Sequence, residues 1–118
     1  MATATFDGAA FTQAIEERDA SNLLALYAEN AEVRLVDRDN PPSAPRVMRG
    51  KDEIRAWIED VCDRDMTHRI EQQVAAGDRL AYAEACRYPD GTNVLCVAML
   101  ELSDGHVARQ TCIRVWDG

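Results

Sequence analysis

An α+β fold follows from three features of the sequence. Two amphipathic helical stretches open the chain and a third follows a proline-rich break, the second half is a succession of period-two segments, and tight Gly-Asp or Asp-Gly turns separate those segments. Helices gathered ahead of an antiparallel meander specify α+β packing, not a doubly wound parallel sheet. One curved sheet of five or six strands wrapped over three helices in the first half buries both sets of apolar faces.

The elements are justified in order. Phe11, Ala14, Ile15 and Arg18 follow helical spacing, with Thr5 or Asp7 as N-cap and Glu16 and Glu17 on the wet side. Asp19-Ala20-Ser21 interrupts this, and Ser21 caps a second helix carrying Leu23, Leu24, Leu26 and Tyr27 with a stop at Asn30. Ala31 to Val36 alternates as a strand does. The prolines of Asp37–Pro45 exclude helix interior and central strand, leaving a rim or lid loop. Val47-Met48 makes a short strand, and Ile54, Trp57, Ile58 and Val61 mark a third helix over Lys51–Asp63. Four strands follow at Thr67–Ala76, Leu80–Tyr88, Thr92–Leu102 and His106–Trp116, and the Asp-Gly turns are hairpin signals.

A chain of 118 residues makes a single domain, 1–118. Hydrophobic residues at 47% and charged ones at 29% belong to a globular protein rather than a disordered one. With 13 Lys+Arg against 21 Asp+Glu the net charge is −8, which excludes nucleic acid and anionic membrane surfaces as partners. No apolar run approaches the roughly 20 residues of a membrane helix. Met1–Asp7 lacks a basic region leading into an apolar stretch, so the expectation is no signal peptide and a cytoplasmic location. Cys62, Cys86, Cys96 and Cys112 stand in apolar runs at gaps of 24, 10 and 16, without zinc-ligand spacing. They read as reduced packing residues, with no metal and no cofactor. No phosphate-binding glycine loop or nucleophile elbow occurs.

The segments Phe11-Thr-Gln-Ala-Ile-Glu-Glu-Arg-Asp19 and Leu23-Leu-Ala-Leu-Tyr-Ala-Glu-Asn-Ala-Glu-Val33 resemble the opening of the SnoaL-like proteins, in the superfamily of nuclear transport factor 2 and ketosteroid isomerase. The helix from Gly50-Lys-Asp-Glu-Ile-Arg-Ala-Trp57, the Gly77-Asp-Arg-Leu80 turn and the closing Asp104-Gly-His-Val-Ala-Arg-Gln110 with Trp116-Asp117 fit the same pattern across nearly the whole chain. The resemblance implies a cone-shaped, cystatin-like sheet with a pocket at its open end that takes a small organic molecule, and a homodimer through the sheet face. It does not imply one reaction, since this fold hosts many.

Carried over residue by residue, the resemblance removes one mechanism. Ketosteroid isomerase uses a carboxylate base, a tyrosine and a protonated acid. Those positions fall on Leu35, Phe11 and Ala98, none of which moves a proton. Polyketide cyclase-like and epoxide hydrolase-like members place an acid three residues before the closing Asp, where this chain has Arg114. The hydrolase's Arg-x-Asp corresponds to Tyr82-Ala83-Glu84.

What remains is a carboxylate on a period-two face. Leu80, Tyr82, Glu84, Cys86 and Tyr88 share one side of their strand. An apolar surround suits Glu84 to acid/base work, and His68, on a face with Ile70, Gln72 and Val74, is a second candidate. The last strand has two registers. A two-residue turn puts Val107, Arg109, Thr111, Ile113 and Val115 inside; a three-residue loop puts Ala108, Gln110, Cys112, Arg114 and Trp116 inside. The resemblance favours the second, in which Arg114 either pairs with Glu84 or holds a substrate carboxylate. The candidate catalytic residues are therefore Glu84, His68 and Arg114, and the candidate substrate-binding residues are Tyr27, Trp57, Tyr82, Cys96, Gln110 and Cys112. Two functions stand: proton-transfer chemistry in a mostly apolar pocket of several hundred Å³, or a non-catalytic module whose cone is closed by its own side chains.

Overall fold

A computed structural model describes residues 5–117, so the first four residues, on which part of the leader reading rests, lie outside it. The helices are α1 (Gly8–Glu16), α2 (Ala20–Ala25) and α3 (Gly50–Asp63). The strands are β1 (Tyr27–Val36), β2 (Arg46–Arg49), β3 (Thr67–Ala76), β4 (Arg79–Arg87), β5 (Asn93–Ser103) and β6 (His106–Trp116). Asp7 caps α1 by accepting from the Ala10 amide at 2.9 Å, as the polar residue before an amphipathic run should.

The second helix differs from the sequence reading. Its cap is Asp19, which accepts from the Asn22 amide at 3.1 Å, in place of Ser21. It also ends at Ala25 rather than continuing toward Asn30. Leu23 and Tyr27 are four residues apart and fit one helical face, so the pattern could not mark the boundary. Tyr27 instead opens β1, where it pairs with Val107 of β6.

The six strands form one curved, unclosed sheet in the order β2-β1-β6-β5-β4-β3. Only the β1–β6 pair is parallel, which makes the sheet mixed. The helices cover its concave face, and Phe11, Tyr27, Leu35, Ile54, Leu100, Val33 and Val107 are the largest sealed side chains between them. On the convex face Leu95, Val97, Met99, Ile113 and Val115 are exposed by 46 to 62%. No helix among the described residues is long and apolar enough to cross a membrane.

Two β-bulges decide which side chains face inward. In β6, Asp104-Gly105 makes a two-residue turn with Leu102 opposite Val107. Ala108 is then an extra residue, because Glu101 pairs with Arg109. From there Gln110, Cys112, Arg114 and Trp116 stand opposite the inward residues Leu100, Ala98, Cys96 and Val94. The turn belongs to one of the two registers read from sequence and the inner set to the other; the bulge reconciles them. In β3 the extra residue is Glu71, since Ile70 pairs with Glu84 while Gln72 pairs with Ala83. His68 and Ile70 therefore face the core, whereas Val74 is 64% exposed on the other side. The continuous His68–Val74 face read from period two is thereby corrected.

Candidate functional site

The inward rows of the sheet can be read across four strands. Ile70, Glu84, Cys96 and Arg114 form one row; His68, Cys86, Val94 and Trp116 form the next toward the open end. Over these rows lies a cavity of about 80 Å³, closed on the helical side by α1, α2 and α3 through Ile15, Leu23, Trp57 and Ile58. All nine candidate residues, from Tyr27 on β1 to Arg114 on β6, line it. Its volume is well short of the several hundred Å³ expected, because Tyr27, Tyr82 and Gln110 fill the inner end.

Glu84 is 7% exposed and accepts through one oxygen. His68 Nδ1 lies 2.7 Å and Cys86 Sγ 3.2 Å from Oε2. With the carboxylate ionised, both the ring N–H and the thiol donate to it. Oε1 has no hydrogen-bond partner among the described residues and is not sealed, so it reaches the cavity. Glu84 is therefore paired, but with His68 rather than with Arg114. The ring sits opposite Cys86 because of the bulge at Glu71, and its side chain is 5% exposed.

Arg114 lies in the same row as Glu84 but two strands away, about 10 Å at ordinary strand spacing, with Cys96 between them. Its guanidinium carbon is 5.8 Å from the ring centre of Trp57 and 6.0 Å from that of Trp116. These are cation–π distances, and the arginine has no carboxylate partner among the described residues. Trp57 Nε1 is sealed and without an acceptor, alone among described side-chain N and O atoms.

At the inner end Gln110 bridges the two tyrosines. Tyr27 donates to its Oε1, while its Nε2 donates to the Tyr82 hydroxyl at 3.2 Å and to Cys112 Sγ at 2.8 Å. Burial pushes both phenols well above their ordinary range, so they act as neutral hydroxyls. The Cys86 thiol is likewise pushed up, by burial first and by the Glu84 charge second. It is no activated nucleophile.

Cys86 is the functional neighbour that sequence reasoning passed over. Its place on the Glu84 face was visible, but its contact with His68 depended on an unseen bulge. His68, Glu84 and Cys86 offer donor atoms within 4.8 Å of one another, a set of the kind zinc accepts. Their mutual distances of 2.7, 3.2 and 3.4 Å are those of hydrogen bonds. Tetrahedral zinc, with bonds of about 2.0–2.3 Å, would hold such atoms about 3.3–3.7 Å apart. In this structure the trio is joined by hydrogen bonds.

Phe11, Leu35 and Ala98, at the three ketosteroid isomerase positions, are all sealed core residues, exposed by 0, 2 and 2%. Among solved structures the chain is similar to a candidate ketosteroid isomerase from Kribbella flavida, at 20% identity over 93% of this chain and 74% of that one, with a TM-score of 0.75. It is similar to an NTF2-like protein of unknown function from Mesorhizobium loti, at 19% identity over 92% and 85%, with a TM-score of 0.73. It also resembles IdmH from Streptomyces antibioticus, a candidate polyketide cyclase, at 22% identity over 90% and 87%, with a TM-score of 0.67. At these identities the likeness is one of fold. No match to a curated protein was found. The SnoaL-like domain profile matches residues 9–110, and with that coverage the chain belongs to the SnoaL-like family.

Proposed function

We propose that this SnoaL-like protein binds a small organic molecule in its cavity and performs proton-transfer chemistry on it, whether isomerisation, cyclisation, dehydration or water addition. The observation that carries this reading is the division of labour within Glu84. One oxygen is held by His68 and Cys86, and the other is free toward an apolar cavity. A carboxylate held in this way is a positioned base, and it becomes an acid once Oε1 has taken a proton. Arg114, across the gap above Cys96, supplies positive charge where a substrate oxygen gains negative charge. The descriptions of two relatives as a candidate isomerase and a candidate cyclase support the class of chemistry. The residues at positions 11, 35 and 98 argue against the isomerase's own arrangement.

A thermal-shift screen of compact organic acids, amides, ketones and alcohols, sized to a cavity of about 80 Å³, identifies a substrate class, and turnover is then measured on Glu84→Gln. Loss of turnover with an intact fold is expected; unchanged turnover removes Glu84 from the mechanism. The second reading, a non-catalytic module, is favoured by the small cavity and by the pairing already made to Glu84. It prevails if no compound shifts the melting temperature and none is turned over.

Part of the same reading is a homodimer through the convex face, where Val97, Met99, Ile113 and Val115 leave an apolar patch uncovered. A cytoplasmic location is also part of it, supported by four cysteines that remain free thiols.

A further inference from the structure

We propose that the ligand is a compact monocarboxylic acid, its carboxylate gripped by Arg114 and its apolar body lodged over Cys96. This deepens the proposed small-molecule reading and rests on it. Arg114 is unusual in this chain. Arg49, Arg55, Arg64, Arg69, Arg79 and Arg109 each have a carboxylate partner. Arg18, Arg34, Arg38, Arg46 and Arg87 are exposed to water. Among the described residues Arg114 is the one arginine both half-buried and without an acceptor, in a chain with 21 acids to 13 bases.

Its surroundings specify the missing partner. Two indoles lie within 6.0 Å of the guanidinium, so the ring systems occupy its surroundings while its N–H groups find no protein acceptor. None of its nitrogens is sealed, so those donors face accessible space at the cavity. A planar fork of donors beside apolar walls matches a carboxylate, which it binds bidentately.

Charge and size narrow the class. Arg114 carries one positive charge and Glu84, in the same row, one negative, so each negative charge on the ligand adds to the cavity uncompensated. A carboxylate adds one and a phosphate dianion two, which disfavours phosphate. The volume of about 80 Å³ is roughly half that of an engineered cavity of about 150 Å³ that admits benzene. The body is therefore compact. With the carboxylate anchored at Arg114, Glu84 Oε1 meets the body rather than the acid group, so the reacting hydrogen lies away from the carboxylate.

The test titrates the full chain with acetate, butyrate and benzoate, each beside its neutral amide and beside inorganic phosphate. Calorimetry is followed together with the fluorescence of Trp57 and Trp116. At least one acid should bind, with its amide and phosphate weaker by roughly tenfold or more. R114Q should reduce the acid to the level of the amide, and R114K should retain part of the affinity, which also covers the case in which R114Q folds poorly. E84Q should leave acid binding intact or tighter. Equal binding of acid and amide, tighter binding of phosphate, absence of binding by every acid, or full affinity in a folded R114Q overturns the proposal. If neutral compounds bind instead and E84Q still loses turnover of them, the carboxylate anchor falls while the role of Glu84 stands.

Discussion

Replacing Gln110 by Met keeps the length and shape of a side chain that is 3% exposed but removes all of its hydrogen bonding. Tyr27 then donates to nothing, and the Tyr82 oxygen and Cys112 sulfur lose a donor. Tyr27 is 2% and Tyr82 6% exposed, so water does not replace the lost partners. A buried polar group left without a partner costs about 1–3 kcal/mol. For two hydroxyls, less the gain from no longer burying an amide, Q110M should lose about 2–4 kcal/mol, a large part of a stability of about 5–15 kcal/mol. The assay is urea unfolding, with a lower midpoint and an unchanged slope. Tyr27→Phe alone orphans the Gln110 carbonyl and should also destabilise. The Y27F/Q110M double variant removes both ends of the same bond, so its loss should fall short of the sum by about 1–2 kcal/mol. Additivity within about 0.5 kcal/mol, or a Q110M protein as stable as the parent, would refute the view that the inner end is held by this amide.

The Cys86 thiol is raised above its reference value of 9.0 by burial and by Glu84. Below pH 9 it is neutral whether the chain is folded or not; above pH 9 the unfolded chain releases the proton that the folded one retains, so stability falls as pH rises. C86S should flatten that alkaline loss by up to about 1.4 kcal/mol per pH unit, read from urea midpoints between pH 8 and 10.5; identical slopes would contradict it. Asp104 at φ 50° and Gly105 at φ 78° make a primed hairpin turn, so Gly105→Ala should cost about 1 kcal/mol in the same assay. V97E/V115E puts charge on the uncovered apolar face and should give a monomer by light scattering where the parent gives a dimer. A parent that is monomeric at moderate concentration would count against the dimer.

Periodicity and turn chemistry placed most elements because strong local signals and tertiary packing agreed. The Gly77-Asp78 turn and the Ile54–Val61 stripe are examples of such agreement. Bulges were not legible. Ala108 and Glu71 carry no mark that distinguishes them from paired neighbours, yet each reverses the facing of the residues beyond it. Counted back from the Gly77-Asp78 turn without a bulge, Arg69 rather than His68 would face Cys86. The Glu84 and Arg114 placements were accessible from one strand's alternation and from family resemblance. The bond between His68 and Glu84 was not, since it needs the register of two strands at once. Helix α2 was misjudged at its end because a Tyr four residues beyond a Leu satisfies helical spacing even when it starts a strand.

The parallel pairing of β1 with β6 has a consequence for how the chain acquires its shape. Residues 32–36 find their neighbours at 109–113, in the last tenth of the sequence, and β6 lies between β1 and β5 rather than at an edge. Contacts of such wide separation carry a large loop-closure cost and slow the search for the native state. On the ribosome, β1 must wait with one flank open until β6 has emerged, so the sheet cannot close before its last strand is made.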